Sequence, residues 1–251
     1  MQNDALFSRR MIDLSREAYQ GGYYTASGFL TLAEQGELDL LFKKGEIGAY
    51  TLEGGFEGAE RRLALFGSAD AFGYEGTPPT VWLMLTPKAQ KFADELSHRD
   101  ILGALMSLGI KRERLGDILI DQNIGYLYLD ESLAPYISEN LTRIRHTDIT
   151  VKAVEAPPKI ATALPDETLI VTAGERLDAL VAAVYKLSRE KAQALCERGL
   201  VALDGRICEK NAALVKEGVT VSVRGFGRFR YEGVRADTKK GKLRSAVRIF
   251  P

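Results

Sequence analysis

The 251-residue sequence predicts an α+β protein. Residues 1–76 read as an N-terminal helical, α/β region. Residues 77–155 read as a ferredoxin-like split-βαβ domain, 156–173 as a linker, and 174–251 as a compact α/β unit ending in a basic β-hairpin. Three observations carry this. The middle of the chain changes periodicity in the order β-α-β-β-α-β. The stretch Glu155–Glu167 (EAPPKIATALPDE) holds three prolines. From Glu175 onward, two short amphipathic segments give way to short alternating strands.

Taken in order, Ala5 to Tyr19 reads as a helix closed by Gly21-Gly22. A second helix opens at Phe29-Leu30 and runs to about Lys44, and Ala49 to Leu52 reads as a strand. Gly54-Gly55-Phe56-Glu57-Gly58-Ala59-Glu60-Arg61-Arg62 then predicts a turn leading into a helix that ends near Phe66. Glycines before a helix can cradle a phosphate on backbone N–H groups. This run is neither GxGxxG nor a P-loop. It either simply starts a helix or brings Arg61 and Arg62 to RNA phosphates.

Val81 to Leu85, Leu115 to Ile120, Gly125 to Leu129 and Asp148 to Val154 read as strands, with helices over His98 to Leu108 and Leu133 to Ile144. In Gly125-Tyr126-Leu127-Tyr128-Leu129 the tyrosines share one face and the leucines the other. With the leucines under the helices, Tyr126 and Tyr128 either lie on an open sheet where bases stack or cover that sheet beneath the N-terminal segments.

In the last unit Leu177, Leu180, Val181 and Val184 form an apolar stripe at helical spacing, with Arg176 and Asp178 flanking it. Ser188 is placed to cap a second helix, in which Ala192, Leu195 and Cys196 face inward and which Gly199 ends. Val201 and Leu203 start a strand, Asp204-Gly205 is a hairpin signal, and Val219, Val221 and Val223 alternate with polar residues. Arg228 to Val234 and Leu243 to Phe250 pair as a final hairpin with Lys239, Lys240 and Lys242 near its tip.

Composition bounds the function. Apolar residues make up 45% and charged residues 27%, as in a soluble globular protein, and the expected location is the cytoplasm. No apolar run is long enough to cross a bilayer. Cys196 and Cys208 are not spaced as CxxC, and His98 and His146 are the two histidines, so no metal site or cofactor is expected. Net charge is zero, but residues 174–251 carry 17 Lys and Arg against 9 Asp and Glu, so a net +8 end joins a net −8 body. That asymmetry points to a nucleic-acid-binding end.

Arg176-Leu177-Asp178, Ser188-Arg189 with Ala192 and Leu195, Gly199, Val201, Asp204-Gly205 and Arg224-Gly225-Phe226-Gly227-Arg228 resemble the S4 (αL-type) RNA-binding domain. One departure is Val219 after Gly218, where that domain has Gly-Asp. Further upstream, Phe29-Leu30 with Glu34-Gln35, Gly54-Gly55 with Ala59-Glu60-Arg61, and Arg114-Leu115-Gly116-Asp117-Ile118 extend the likeness to the YlmH family of bacterial S4 proteins. The photosystem-II-associated S4 protein of cyanobacteria and plants is a close relation.

The resemblance implies a factor that binds the large ribosomal subunit, contacting 23S rRNA and P-site tRNA in quality control of stalled peptidyl-tRNA complexes; the chain is expected to be a monomer without membrane insertion. The resemblance makes Arg176, Asp178 and Arg189 the first RNA-contact residues. Arg224 and Arg228 follow by the same motif; the residues themselves add Ser188, Lys191, Arg206, Arg230, Lys239, Lys240 and Lys242, with Arg61, Arg62, Tyr126 and Tyr128 as additional candidates. Two other readings stand beside it. An RNA-modifying enzyme is one, since pseudouridine synthases carry Arg-Leu-Asp with a nucleophilic aspartate. Only 73 residues follow Asp178, too few for that catalytic domain. A scaffold linking ribosomes to cell-division proteins is the other. The expectation is a protein that is not an enzyme.

Overall fold

The computed structural model describes residues 2–159, 164–238 and 241–250, and the chain divides into two compact units, residues 1–163 and 164–251.

The first unit stacks four layers. Strands β4 (Thr80–Pro87), β5 (Leu115–Asp121), β6 (Ile124–Asp130), β7 (Arg143–Ile144) and β8 (Thr147–Val154) form an antiparallel sheet in the order β5-β6-β4-β8-β7. The sequence-predicted split-βαβ order is therefore present, with the short β7 added at one edge. After the one-turn α3 (Ala69–Phe72), the helices α4 (His98–Ser107) and α5 (Ala134–Asn140) cover one face, and Leu83, Leu85, Ile101, Leu105, Leu127, Leu129 and Ile137 fill the core between. The second of these helices is shorter than predicted. Its C-cap Leu141 leaves the helical region (φ −86°, ψ 78°), and Ile144 is buried from a strand.

The other face is not open. A three-stranded sheet, β1 (Thr25–Leu30), β3 (Arg62–Phe66) and β2 (Tyr50–Glu53), packs on it through Phe29, Leu63 and Leu65. Tyr126 and Tyr128 are 5% and 6% exposed in this core beside Trp82. The expected base-stacking platform is thus an inter-sheet core. The alternation was read correctly, but the tyrosine face is covered. The Trp82 and Tyr128 rings lie 4.9 Å apart, and the Tyr128 hydroxyl hydrogen-bonds Thr80 Oγ1. Gly55, at φ +81°, passes so close that a Cβ there would lie 2.9 Å from both rings.

Beyond the small sheet, α1 (Gln2–Gly21) and α2 (Leu32–Lys43) bury Met11, Ala18, Leu38 and Leu41 against Ala64 and Phe66. Thr31 starts α2 with a capping box to Glu34. The helix expected to end at Phe66 is strand β3. Leu63 and Leu65 face one core and Ala64 and Phe66 the other. A strand buried on both faces reads as an unbroken apolar run.

The second unit packs two helices, α6 (Leu177–Val184) and α7 (Arg189–Glu197), on a six-stranded antiparallel sheet. Its order is β11 (Arg206–Ile207), β10 (Val201–Leu203), β12 (Thr220–Val223), β13 (Gly227–Asp237), β14 (Leu243–Phe250) and β9 (Glu167–Thr172). β9 falls in the stretch read as linker. It pairs with β14 from Leu243↔Thr172 to Arg248↔Glu167, and Ile170 and Thr172 are buried. Leu177, Leu180, Val181, Ala192, Leu195 and Cys196 meet Val201, Val221, Val223, Phe229, Tyr231 and Val247 in the core. The Asp204-Gly205 turn has positive φ at both residues (44° and 77°), as the hairpin requires.

Candidate RNA interface

The N-terminus of α6 is tied to a neighbouring loop before any side chain acts. The Leu177 and Asp178 backbone N–H groups donate to the Ala213 and Asn211 carbonyls. This draws Asp178 under the fold, where it is 0% exposed. Asp178, expected as an RNA contact beside the apolar stripe, is instead buried, as a carboxylate can be when its oxygens are paired with cations and hydrogen-bond donors.

Arg176 donates to Asp178 through Nε (3.1 Å) and Nη2 (2.9 Å), and Arg189 through Nε (3.1 Å) and Nη2 (3.3 Å). Gln193 Nε2, one turn along α7 from Arg189, adds a bond of 2.9 Å. Burial by itself would raise the Asp178 pKa. The bonds from Arg176, Arg189 and Gln193, and the charge of Arg189, outweigh it and hold the group at about 2. The two arginines remain 40% and 46% exposed, and no bond to Asp178 uses Nη1 of either.

One carboxylate thus fixes two guanidinium forks and leaves a net positive charge whose outer edges face solvent. A planar guanidinium with free N–H edges suits bidentate phosphate recognition. The two arginines converge on one carboxylate and form a single clamp. Asp178 positions them and is not itself placed to touch RNA. Gln193 escaped the sequence reading. Its signal was the i, i+4 spacing from Arg189, which puts both on one helix face.

Around the clamp, Ser188 caps α7 by accepting from the Lys191 N–H, and the Lys191 side chain is exposed. Arg206 at the β10–β11 hairpin, Arg224 before the β12–β13 turn and Lys242 near the last hairpin tip are also exposed. Arg228 is half-buried with its guanidinium 5.1 Å above the Phe250 ring. Lys239 and Lys240 lie outside the described residues.

Arg230 departs from expectation. It sits opposite Arg248 in the β13–β14 register, and Glu232 bridges the two cations at 2.6 and 3.1 Å. Glu167 extends this network to Arg248 and Arg235. At 24% and 12% exposure, the Arg230 and Glu232 side chains are committed to each other rather than to a phosphate.

Arg61 and Arg62 are likewise committed within the first unit. Arg61 donates to the carbonyls of Leu115 (3.0 Å), Phe29 (2.7 Å) and Arg112 (3.3 Å), and Arg62 Nε to Ala59 O (2.8 Å). Arg112 shares the Leu115 carbonyl, and burial together with the Arg61 charge lowers its pKa to about 10. Arg61 ties β1 to the start of β5. Arg61→Ala is expected to cost the first unit about 2 kcal/mol and leave RNA affinity unchanged. Urea unfolding and filter binding of the same preparation check this.

Among the described residues no group of three or more His, Cys, Asp and Glu is placed to hold a metal ion, and no helix is long and apolar enough to cross a membrane. The family model described as "Putative RNA-binding domain in YlmH" matches residues 81–157, and the S4 domain model matches 175–221. The chain is similar to "Ribosome-associated protein quality control protein P2" of Bacillus subtilis (strain 168), 30% identical over 223 residues, 86% of this chain and 83% of the relative. Among solved structures, "Cell division protein ylmH from Streptococcus pneumoniae" aligns with a TM-score of 0.46 at 19% identity, over 61% of this chain and 91% of that one. By these two domain matches and by a relative aligned along most of both lengths, the chain belongs to the YlmH family of S4-domain RNA-binding proteins.

Proposed function

We propose that this protein is a non-enzymatic RNA-binding factor of ribosome-associated quality control. It acts as a cytoplasmic monomer on the large ribosomal subunit, holding 23S rRNA and P-site tRNA while a stalled peptidyl-tRNA is processed. The observation that carries this reading is the Asp178-centred clamp, with two half-exposed arginines oriented by one buried carboxylate. Such a site binds phosphate and carries out no bond-making step. The clamp lies in the net +8 part of the chain, where phosphate attraction is strongest. The quality-control role rests on the name of the Bacillus relative.

The modifying-enzyme reading loses ground on the same geometry. A nucleophilic aspartate needs an open face toward its base, and Asp178 is 0% exposed with both oxygens engaged. The test is sedimentation of the tagged full chain from lysate with sequencing of the accompanying RNA. Co-migration with free large subunits carrying peptidyl-tRNA is expected. Recovery away from ribosomes, with no 23S rRNA, overturns the proposal.

A further inference from the structure

The turn joining β12 to β13 exposes an aromatic ring. Phe226 sits at its apex, with its N–H bonded to the Val223 carbonyl, and is 40% exposed. Gly225 and Gly227 flank it at φ +84° and +112°, a backbone shape that lifts the ring clear of the sheet. Tyr185 supports it from below, with ring centroids 5.5 Å apart, and Tyr185 in turn rests on buried Phe229 at 6.0 Å. The Tyr185 hydroxyl is buried with no hydrogen-bond partner among the described residues. Tyr185 therefore serves as a rigid aromatic base for Phe226.

The ring's neighbours carry the chemistry. Exposed Arg224 and half-buried Arg228 bracket the turn, and Lys186, next to Tyr185, is exposed. Tyr185 follows Asp178 by seven residues along α6 and its C-cap. At helical geometry that places the two about 10 Å apart along the axis and within about 20° around it. Asp178, which gathers the arginines, and Tyr185, which supports the Phe226 ring, therefore lie along one face of one helix. An exposed aromatic ringed by cations, next to a phosphate clamp, matches a strand whose backbone is held and whose base is unstacked. A protein partner would meet the exposed charges of Lys186 and Arg224 here.

We propose that Phe226 is a base-stacking residue, on whose exposed face an unpaired base lies next to the phosphate held by Arg176 and Arg189. The proposal rests on the RNA-binding reading and narrows it. The substrate presents a single-stranded or looped nucleotide at the S4 domain, rather than an uninterrupted duplex.

The test uses the full chain with an RNA hairpin carrying a fluorescent adenine analogue in its loop, and with the same strand fully paired to its complement. The wild-type protein should bind the looped RNA more tightly and change the analogue's fluorescence. Phe226→Ala should weaken looped-RNA binding about tenfold, remove the fluorescence change, and leave both duplex affinity and the salt dependence unaltered. Phe226→Trp should restore binding. The ring is at a surface apex, so an unchanged unfolding curve is expected and verifies the fold.

Normal looped-RNA binding and fluorescence by Phe226→Ala overturn the proposal alone. So does an equal loss for looped and paired RNA. Failure of the wild-type protein to bind either RNA overturns this proposal together with the functional reading beneath it.

Discussion

Asp178→Ala is expected to destabilise the C-terminal unit by about 2 kcal/mol and to weaken RNA binding about tenfold, although the side chain is buried away from solvent. Removing the buried carboxylate leaves two half-exposed guanidiniums converging on its empty position. They repel each other, swing outward and regain rotamer freedom that must be lost again on binding. Asp178→Asn should fall between the two states, keeping shape and part of the hydrogen bonding.

Acid should reproduce part of this effect in the unmodified protein. The folded pKa of about 2 lies below the ordinary 3.8, so the stabilisation is complete above the unfolded value and is lost as pH falls through the folded one. A shift of that size corresponds to about 2 kcal/mol, reduced by solvent screening of the half-exposed arginines. Urea midpoints of the wild type should fall between pH 4 and pH 2 by more than those of Asp178→Asn. Equal slopes for the two proteins would remove Asp178 from the account.

The contrast between the two units shows what one sequence holds. In the C-terminal unit nearly every element is fixed by a local signal. The stripe of Leu177, Leu180 and Val181, the Ser188 cap and the Asp204-Gly205 turn each require a conformation within a few residues, and the structure has each of them. In the first unit the decisive facts are non-local. Leu63 to Phe66 is an apolar run compatible with helix or strand, and only the two cores on either side make it β3. The Tyr126 and Tyr128 alternation is legible, but whether that face is bare depends on where a separate three-stranded sheet packs.

The same division runs through the site. Arg176 and Arg189 were visible as basic residues at helix starts. That they share a carboxylate with Gln193 depends on how α7 crosses α6, which no spacing within either helix encodes. Arg230 was misassigned for a related reason. Its partner Glu232 lies on the same face of the same strand, two residues on, and the Arg230↔Arg248 register that demands an acidic bridge appears only once β13 and β14 pair.

Joint replacement Arg176→Ala with Arg189→Ala should produce the largest functional effect, about a hundredfold loss of RNA affinity at physiological salt. It should also lower the slope of log affinity against log salt by about 1.4 to 1.8, because two phosphate contacts and their released counterions are removed. The slope separates a phosphate clamp from a merely folded support, since a structural defect would lower affinity without reducing the number of counterions released. Both arginines also partner a buried carboxylate, so the double variant strands Asp178, whose pKa must rise once burial is no longer opposed. Adding Asp178→Asn to the pair removes that charge and should recover stability without recovering binding. A triple variant that regained affinity would show the clamp to be a folding device. One that stayed stable, bound weakly and kept the shallow salt slope would fix Arg176 and Arg189 as the phosphate-binding pair.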